Sequence, residues 1–431
     1  MIEPPGQTVH ANAAPVQREV RNTFWLECYQ ALVRVGWIFK TETIIMPAVL
    51  DAVVDSGLLR GLLPVLNRGG QSVPPLLFSA TLAQRPLKKW TVVRTTLAMA
   101  GCFALLAASW GLLQDRRRDL LAALFLVLYA AFSTANGLNQ LALAAVQGKL
   151  VPAAQRGRAM LVSATLGSAL AIVAALWLLG PWLAMEGGFP RIFAATAAFF
   201  ALAAVFPALL LEQPDAPTAV PRGAGRGAGA FRAGLHDWRR LLAGDRGLVR
   251  LAVVAACFST VIMLFPHYQA FARDRLGSPV TALLTWVVVQ NAATGVVSLV
   301  AGPLCDRRGT QGVLVWLVAL SASTPLVVTL LSLVPRATAV HAFWLVYVPL
   351  GLNPVALKVF TNYALELAPT AVEHPRYVSI VGAALAAPFV LSPLVGMAVD
   401  LVGFRPVFLV GALVIAAGAA VATGLPEPRR H

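Results

Sequence analysis

The sequence predicts an all-α membrane protein of twelve transmembrane helices, arranged as two pseudo-symmetric six-helix halves. Three observations predict it. Of 431 residues, 58% are hydrophobic and only 12% are charged, about half the charged share of a soluble domain, too little to cover a water-facing surface. The apolar residues come in blocks of about 20, the length that crosses a bilayer as a helix. Two loops recur at matching places in the two halves of the chain.

Each element follows from these. In lipid a span must satisfy its own backbone hydrogen bonds, which selects helices. Residues 1–27 read as a cytoplasmic tail. They include Arg18, Glu19 and Arg21 and hold no apolar run before a cleavage site, so the first span itself is expected to direct insertion. The first half, 28–212, holds spans near 28–52, 58–80, 91–113, 120–146, 160–182 and 190–211. The first two spans are the most polar, with Lys40, Glu42, Asp51, Arg60 and Arg68, and Pro64, Pro74 and Pro75. Residues 213–249, with PRGAGRGAGAFRAG, read as a flexible cytoplasmic linker. The second half, 250–426, holds spans near 248–272, 281–303, 311–334, 340–366, 377–400 and 404–425, and 427–431 form a short tail.

The net charge of +15 comes from Lys and Arg scattered at the ends of apolar blocks. It forms no stripe of the kind that binds nucleic acid. Their bias places both termini in the cytoplasm, although tails and linker supply much of the excess, and Arg116, Arg117 and Arg118 fall outside. Cys28, Cys102, Cys257 and Cys305 stand far apart and form neither a disulfide framework nor a metal site. No phosphate-binding glycine loop, metal-ligand pair or nucleophile elbow occurs, so no cofactor and no enzymatic activity are expected.

After the second span comes ATLAQRPLKKW (80–90), and after the eighth GPLCDRRGTQG (302–312). After the fourth comes KLVPAAQRGR (149–158), and after the tenth ELAPTAVEHPR (366–376). Two similar loops at nearly one offset indicate duplication. With an even number of spans in each half, the copies share one orientation about an axis along the membrane normal.

These loops resemble those of the major facilitator superfamily, whose recurrent segment reads G-x-L-a-D-R-x-G-r. Gly302, Leu304, Asp306, Arg307 and Gly309 match it well; in the first copy Ala80, Gln84 and Leu87 replace the glycines and the acid. FPHYQAFAR (265–273) and NYALELAP (362–369) also look like superfamily segments. The resemblance covers roughly 28–425 and is nearest to a branch of bacterial permeases without assigned cargo. It implies secondary transport of a small solute by alternating access. A monomer is expected, and the high Ala and Arg content fits a bacterial source and hence the plasma membrane. The resemblance also implies a cytoplasmic latch of Asp306 and Arg307, with Gly302, Gly309 and the first-half counterpart Arg85. A surface turn that only fixes topology is the alternative.

An ionisable side chain at mid-bilayer costs at least about 2.5 kcal/mol, so it needs a reason. Lys40 and Glu42 lie roughly 18–21 Å from the cytoplasmic end of their span, and Lys358 roughly 15 Å. The resemblance implies that the first, fourth, seventh and tenth spans line a central cavity. These carry Lys40 and Glu42; Ser133, Asn136, Asn139 and Gln140; His267, Tyr268 and Gln269 beside Pro266; and Asn353, Lys358, Asn362 and Glu366. Arg60, Asn67 and Gln71 stripe the second span, and Gln290 and Asn291 mark the eighth.

Two residues apart on one helix, Lys40 and Glu42 would point in opposite directions, so Glu42 is expected to meet Lys358 across the halves. Such a carboxylate suits proton coupling; a structural ion pair is the plainer reading. His267 is a ligand or proton relay, or else a packing histidine. The Asn and Gln residues either contact solute or join helices. Asp51 and Asp55 are expected to be solvated. Lys40 and Lys358 favour an anionic cargo. A lipid- or pigment-handling or non-transporting protein of the same fold is the competing function.

Overall fold

The computed structural model describes residues 7–151, 166–185, 187–215, 241–370 and 373–427; among them every regular element is a helix. Helix α1, Gln7–Ile38, breaks and resumes as Ile45–Asp51, and α2 spans Gly57–Ala83. Ten further helices are long and apolar enough to cross a membrane. They are α3 (Lys89–Leu113), α4 (Arg118–Leu150), α5 (Leu166–Ala184), α6 (Phe189–Ala208), α7 (Arg246–Asp274), α8 (Ala282–Cys305, continuing to Arg308), α9 (Thr310–Leu331), α10 (Arg336–Leu367), α11 (Arg376–Val402) and α12 (Phe404–Thr423). The expected segments 152–165 and 216–240, most of the fourth loop and the linker, lie outside the described residues.

Short connectors make neighbouring helices antiparallel. The side on which α1 starts and α12 ends is called near, and the opposite side far. The packing repeats between the two sets of six: α6 lies against α1 and α3, and α12 against α7 and α9. Between the sets, α2 packs along α11 and α5 meets α8. The α2–α11 crossing occurs at the far ends and is built from small residues: Gly57 faces Gly396, and Gly61 faces Ser392. Four-residue spacing of small residues lets backbones approach in this way.

Some prolines sit at helix breaks, whereas Pro266, Pro303 and Pro325 lie inside continuous helices. Pro47 has no N–H to give, and α1 breaks just before it, with the Thr41 carbonyl collecting the amides of Ile44, Ile45 and Met46. Turns of 3-10 and π-helix mark α10 at 343–346, α11 at 387–391 and α5 at 175–179.

The two copies of the repeated loop differ as their sequences dictate. Gly309 adopts φ +93° and alone joins α8 to α9, a conformation that favours glycine. The first copy has Leu87 instead and needs the connector 84–88 between α2 and α3. Gly302 and Arg307 therefore sit in the last turns of α8 and not in a loop.

Each set has its own aromatic core. In the first, Phe103 meets Phe132 at 5.0 Å, Trp37 meets Phe132 at 5.7 Å, and Trp110 meets Phe193 at 5.5 Å. In the second, Trp286 stacks on Tyr347 at 5.1 Å and Phe271 meets Phe404 edge-on at 5.6 Å. Such rings contribute through their large buried area as well as their geometry.

Candidate functional site

The break in α1 places Lys40 and Glu42 off the helix, and this overturns their expected divergence. Lys40 Nζ bonds Glu42 Oε1 at 2.7 Å. The helical 100° step does not apply in the turn 39–44, so two residues two apart face each other. The Lys40 ammonium is fully buried and lies 3.4 Å from the Trp37 ring centroid and 4.3 Å from that of Phe132, so cation–π attraction replaces part of its lost hydration. Glu42 therefore pairs with Lys40, not with Lys358.

Glu42 also borders a cavity of about 20 Å³ with Asn67, Arg68, Tyr129 and Pro266. That volume holds about one water. Arg68 lines the same cavity, bringing a second positive charge near Glu42. Asn67 donates to the Tyr129 hydroxyl at 3.0 Å and accepts from Gln71. The stripe expected on α2 is thus present and tied to α4.

At the same depth the first set reaches the second. Thr43 donates to Gln290 Oε1 at 2.7 Å, and Arg34 Nη2 to Asn291 Oδ1 at 3.3 Å. Gln290 is buried, while Lys358, Asn362 and Gln140 are exposed within their spans. Asn136 is buried, and its Nδ2 has no partner among the described residues. Asn139 is structural: it receives Tyr29 Oη at 2.9 Å and donates to Thr96 at 2.8 Å. Neither His267 nitrogen has a partner among the described residues, and the Tyr268 hydroxyl and Asn353 Oδ1 also lack one. The Tyr268 ring packs on Phe408 at 5.2 Å, inside the second set and away from the cleft.

On the far side lies a charge cluster that the sequence does not announce. Asp51, expected to be solvated, is buried, with 1% of its side chain exposed. It accepts Arg60 Nε at 2.6 Å and faces Arg273 Nη1 at 3.2 Å. Asp55 keeps a wet face but also bonds both arginines, at 2.9 Å from Arg273. Arg273 Nε bonds Asp274 at 2.6 Å. Asp51, Asp55 and Arg60 belong to the first set, and Arg273 and Asp274 to the second. Asp400 adds a further tie, accepting the Gly57 amide at 2.8 Å.

On the near side the expected latch takes another form. The Asp306 side chain lies outside the described residues; Arg85 and Arg307 are exposed and make no ion pair among the described residues. The anion at the N-terminus of α9 is Glu427, which accepts the Gln311 amide at 3.1 Å. Glu212 does the same for α3, accepting the amides of Lys88 at 3.0 Å and Lys89 at 2.8 Å. Carboxylates at helix N-termini satisfy free amides and face the positive end of the dipole. Lys149 bonds Glu212 at 3.1 Å and Asp215 at 2.7 Å, and Lys88 also bonds Asp215. Hydrogen bonds from Lys149 and Lys88 hold the Asp215 carboxyl below the usual carboxylate range. In the second set Tyr377 donates to Asp245 at 2.7 Å.

A cavity of about 530 Å³ lies elsewhere, among the far-side loops of the second set. Two of its three arginines are engaged on carbonyls, Arg336 on Leu276 and Arg405 on Ser332.

The family model of the Major Facilitator Superfamily matches residues 72–357. The chain belongs to that superfamily. Among solved structures it resembles the nucleoside transporter NupG, at 13% identity over 94% of this chain and 99% of that one, with a TM-score of 0.66. A bacterial homologue of the human lysosomal transporter Spinster, in an inward-facing and unoccupied conformation, gives 13% identity, 96% and 97% coverage and 0.60. A POT family transporter in complex with 5-aminolevulinic acid gives 13%, 95% and 96%, and 0.69. These likenesses show the fold. No curated protein matches the chain significantly. The superfamily member described here is a multi-pass membrane protein with the architecture of a secondary transporter.

Proposed function

We propose that this protein moves a small solute across the plasma membrane by alternating access, with the near side and both termini cytoplasmic, as a monomer coupled to the proton gradient through Glu42. One observation carries the reading: charged contacts join the two sets on the far side, while polar residues of both sets converge at mid-depth. That is the arrangement of a molecule closed outside with a site in its middle. Glu42 is the coupling residue because it bonds Lys40 and also borders a water-sized cavity whose wall includes a second cation, Arg68. Protonating it frees those cations, and deprotonating it re-pairs them, so its charge state biases the contacts at mid-depth. His267 is buried inside α7 and does not line that cavity.

The test is proton movement into proteoliposomes loaded with a pH-sensitive dye, with pools of anionic, cationic and neutral solutes. Solute-dependent proton entry in wild type and none in Glu42→Gln is expected. Undiminished proton entry in the variant removes Glu42 from coupling. Silence from every pool in folded protein favours a lipid-handling or non-transporting role.

A further inference from the structure

Arg34 of α1 is directed at the second set, where its guanidinium reaches Asn291 of α8. Lys358 belongs to the opposite set, on α10, which packs against the same α8 that carries Asn291. Lys358 is exposed although it lies in a span, about 15 Å from the end of its helix. A lysine facing lipid at that depth is costly, which places this one on the cleft between the sets. Neither Arg34 nor Lys358 has a carboxylate within ion-pair distance among the described residues, whereas Lys40 is matched by Glu42. Among the described residues, each set therefore supplies the cleft with a positive charge that has no carboxylate partner, Arg34 from one and Lys358 from the other.

We infer that Arg34 and Lys358 together bind the negatively charged group of a soluble organic anion, a carboxylate or phosphate, that is the cargo. This deepens the transport reading and rests on it. Arg34 offers a planar fork of N–H donors and Lys358 a mobile ammonium. Asn362, one helical turn after Lys358 on the same face, supplies a neutral polar contact beside them. The same pair explains why cargo moves the protein. Empty, the two cations repel and hold the sets apart toward the near side. Occupied, one anion attracts both and draws the sets together. The ligand shifts the equilibrium because it binds the closed form better.

The test uses the full chain without its cysteines, spin-labelled at positions 84 and 307, one on the near side of each set, in phosphatidylcholine nanodiscs. Acetate, succinate, inorganic phosphate and glycerol phosphate are titrated against acetamide, succinamide and glycerol while the inter-label distance is read. At least one anion is expected to shorten it saturably. Lys358→Gln and Arg34→Gln should each weaken that response on the order of ten- to a hundredfold, and Lys358→Arg should keep it within a few-fold. Lys358 is exposed, so its replacement leaves the packing intact.

A neutral solute that closes the protein equally well in wild type and both variants overturns the anion site but keeps transport. Two distance populations that respond to no anion also overturn it and keep transport. A response to phosphatidylglycerol alone overturns it in favour of a lipid headgroup. One fixed distance under all conditions removes both readings.

Discussion

The far and near sides of the molecule use the same chemistry with different partners. On the far side Arg60 and Arg273 share Asp51 and Asp55, so carboxylates and guanidiniums of both sets are interlocked. On the near side Lys88, Lys149, Glu212 and Asp215 form a comparable network that lies wholly within the first set. Asp245 with Tyr377, and Glu427 with Gln311, lie wholly within the second. Side-chain ownership, not the number of charges, separates an interface that must part from an end that must stay together. Three substitutions break or sharpen this contrast.

The largest effect is expected from Arg60→Gln. It leaves Asp51 buried with only Arg273, and loss of one member of a buried pair costs about 3–5 kcal/mol. The melting temperature should fall, and a cysteine placed at Ser56 should become reactive to a membrane-impermeant maleimide. Unchanged melting and labelling would mean that the cluster does not hold the far side shut. Gly396→Val should act on the same interface more mildly. Its side chain would meet the Gly57 carbonyl, an overpacking cost of about 1–3 kcal/mol. Labelling at position 56 should rise with little change in melting, because each set keeps its own core. Equal labelling would show that α2 and α11 have room to spare.

The smallest effect is expected from Asp215→Asn, on the near side. The folded carboxyl titrates below its ordinary value of about 3.9, so its contribution is complete above that value. It fades as pH falls through the lower, folded value. Wild type should therefore lose under about 1 kcal/mol below roughly pH 4 through this group, and the variant should lack that component. Far-side labelling should not change in either protein. A change there would show that the near-side network also spans the sets.

Much of this architecture is legible in the sequence, because span length, proline position and the repeated loops are local properties. Gly309 announces its tight junction, and Leu87 announces that the first copy cannot make one. The site is less legible. The pairing of Lys40 with Glu42 is hidden because period-based reasoning assumes an unbroken helix, although Pro47 was the available signal. Asp51 and Asp55 read as solvated because their shared partner Arg60 lies nine and five residues on, beyond a helix break, and Arg273 belongs to the other set. Arg34 gives no signal at all: one arginine in an apolar run looks like a span end until the structure shows Asn291 opposite it.

The aromatic cores have a mechanical consequence. Rings from α1, α3, α4 and α6 interlock in one set, and rings from α7, α8, α10 and α12 in the other, so the packing between these helices resists deformation. Each therefore behaves as a stiff lever. Displacement generated at mid-depth is transmitted along its length instead of being dissipated as local bending. Distances within a set should stay constant through the cycle, and the stroke appears entirely as rotation of one lever against the other.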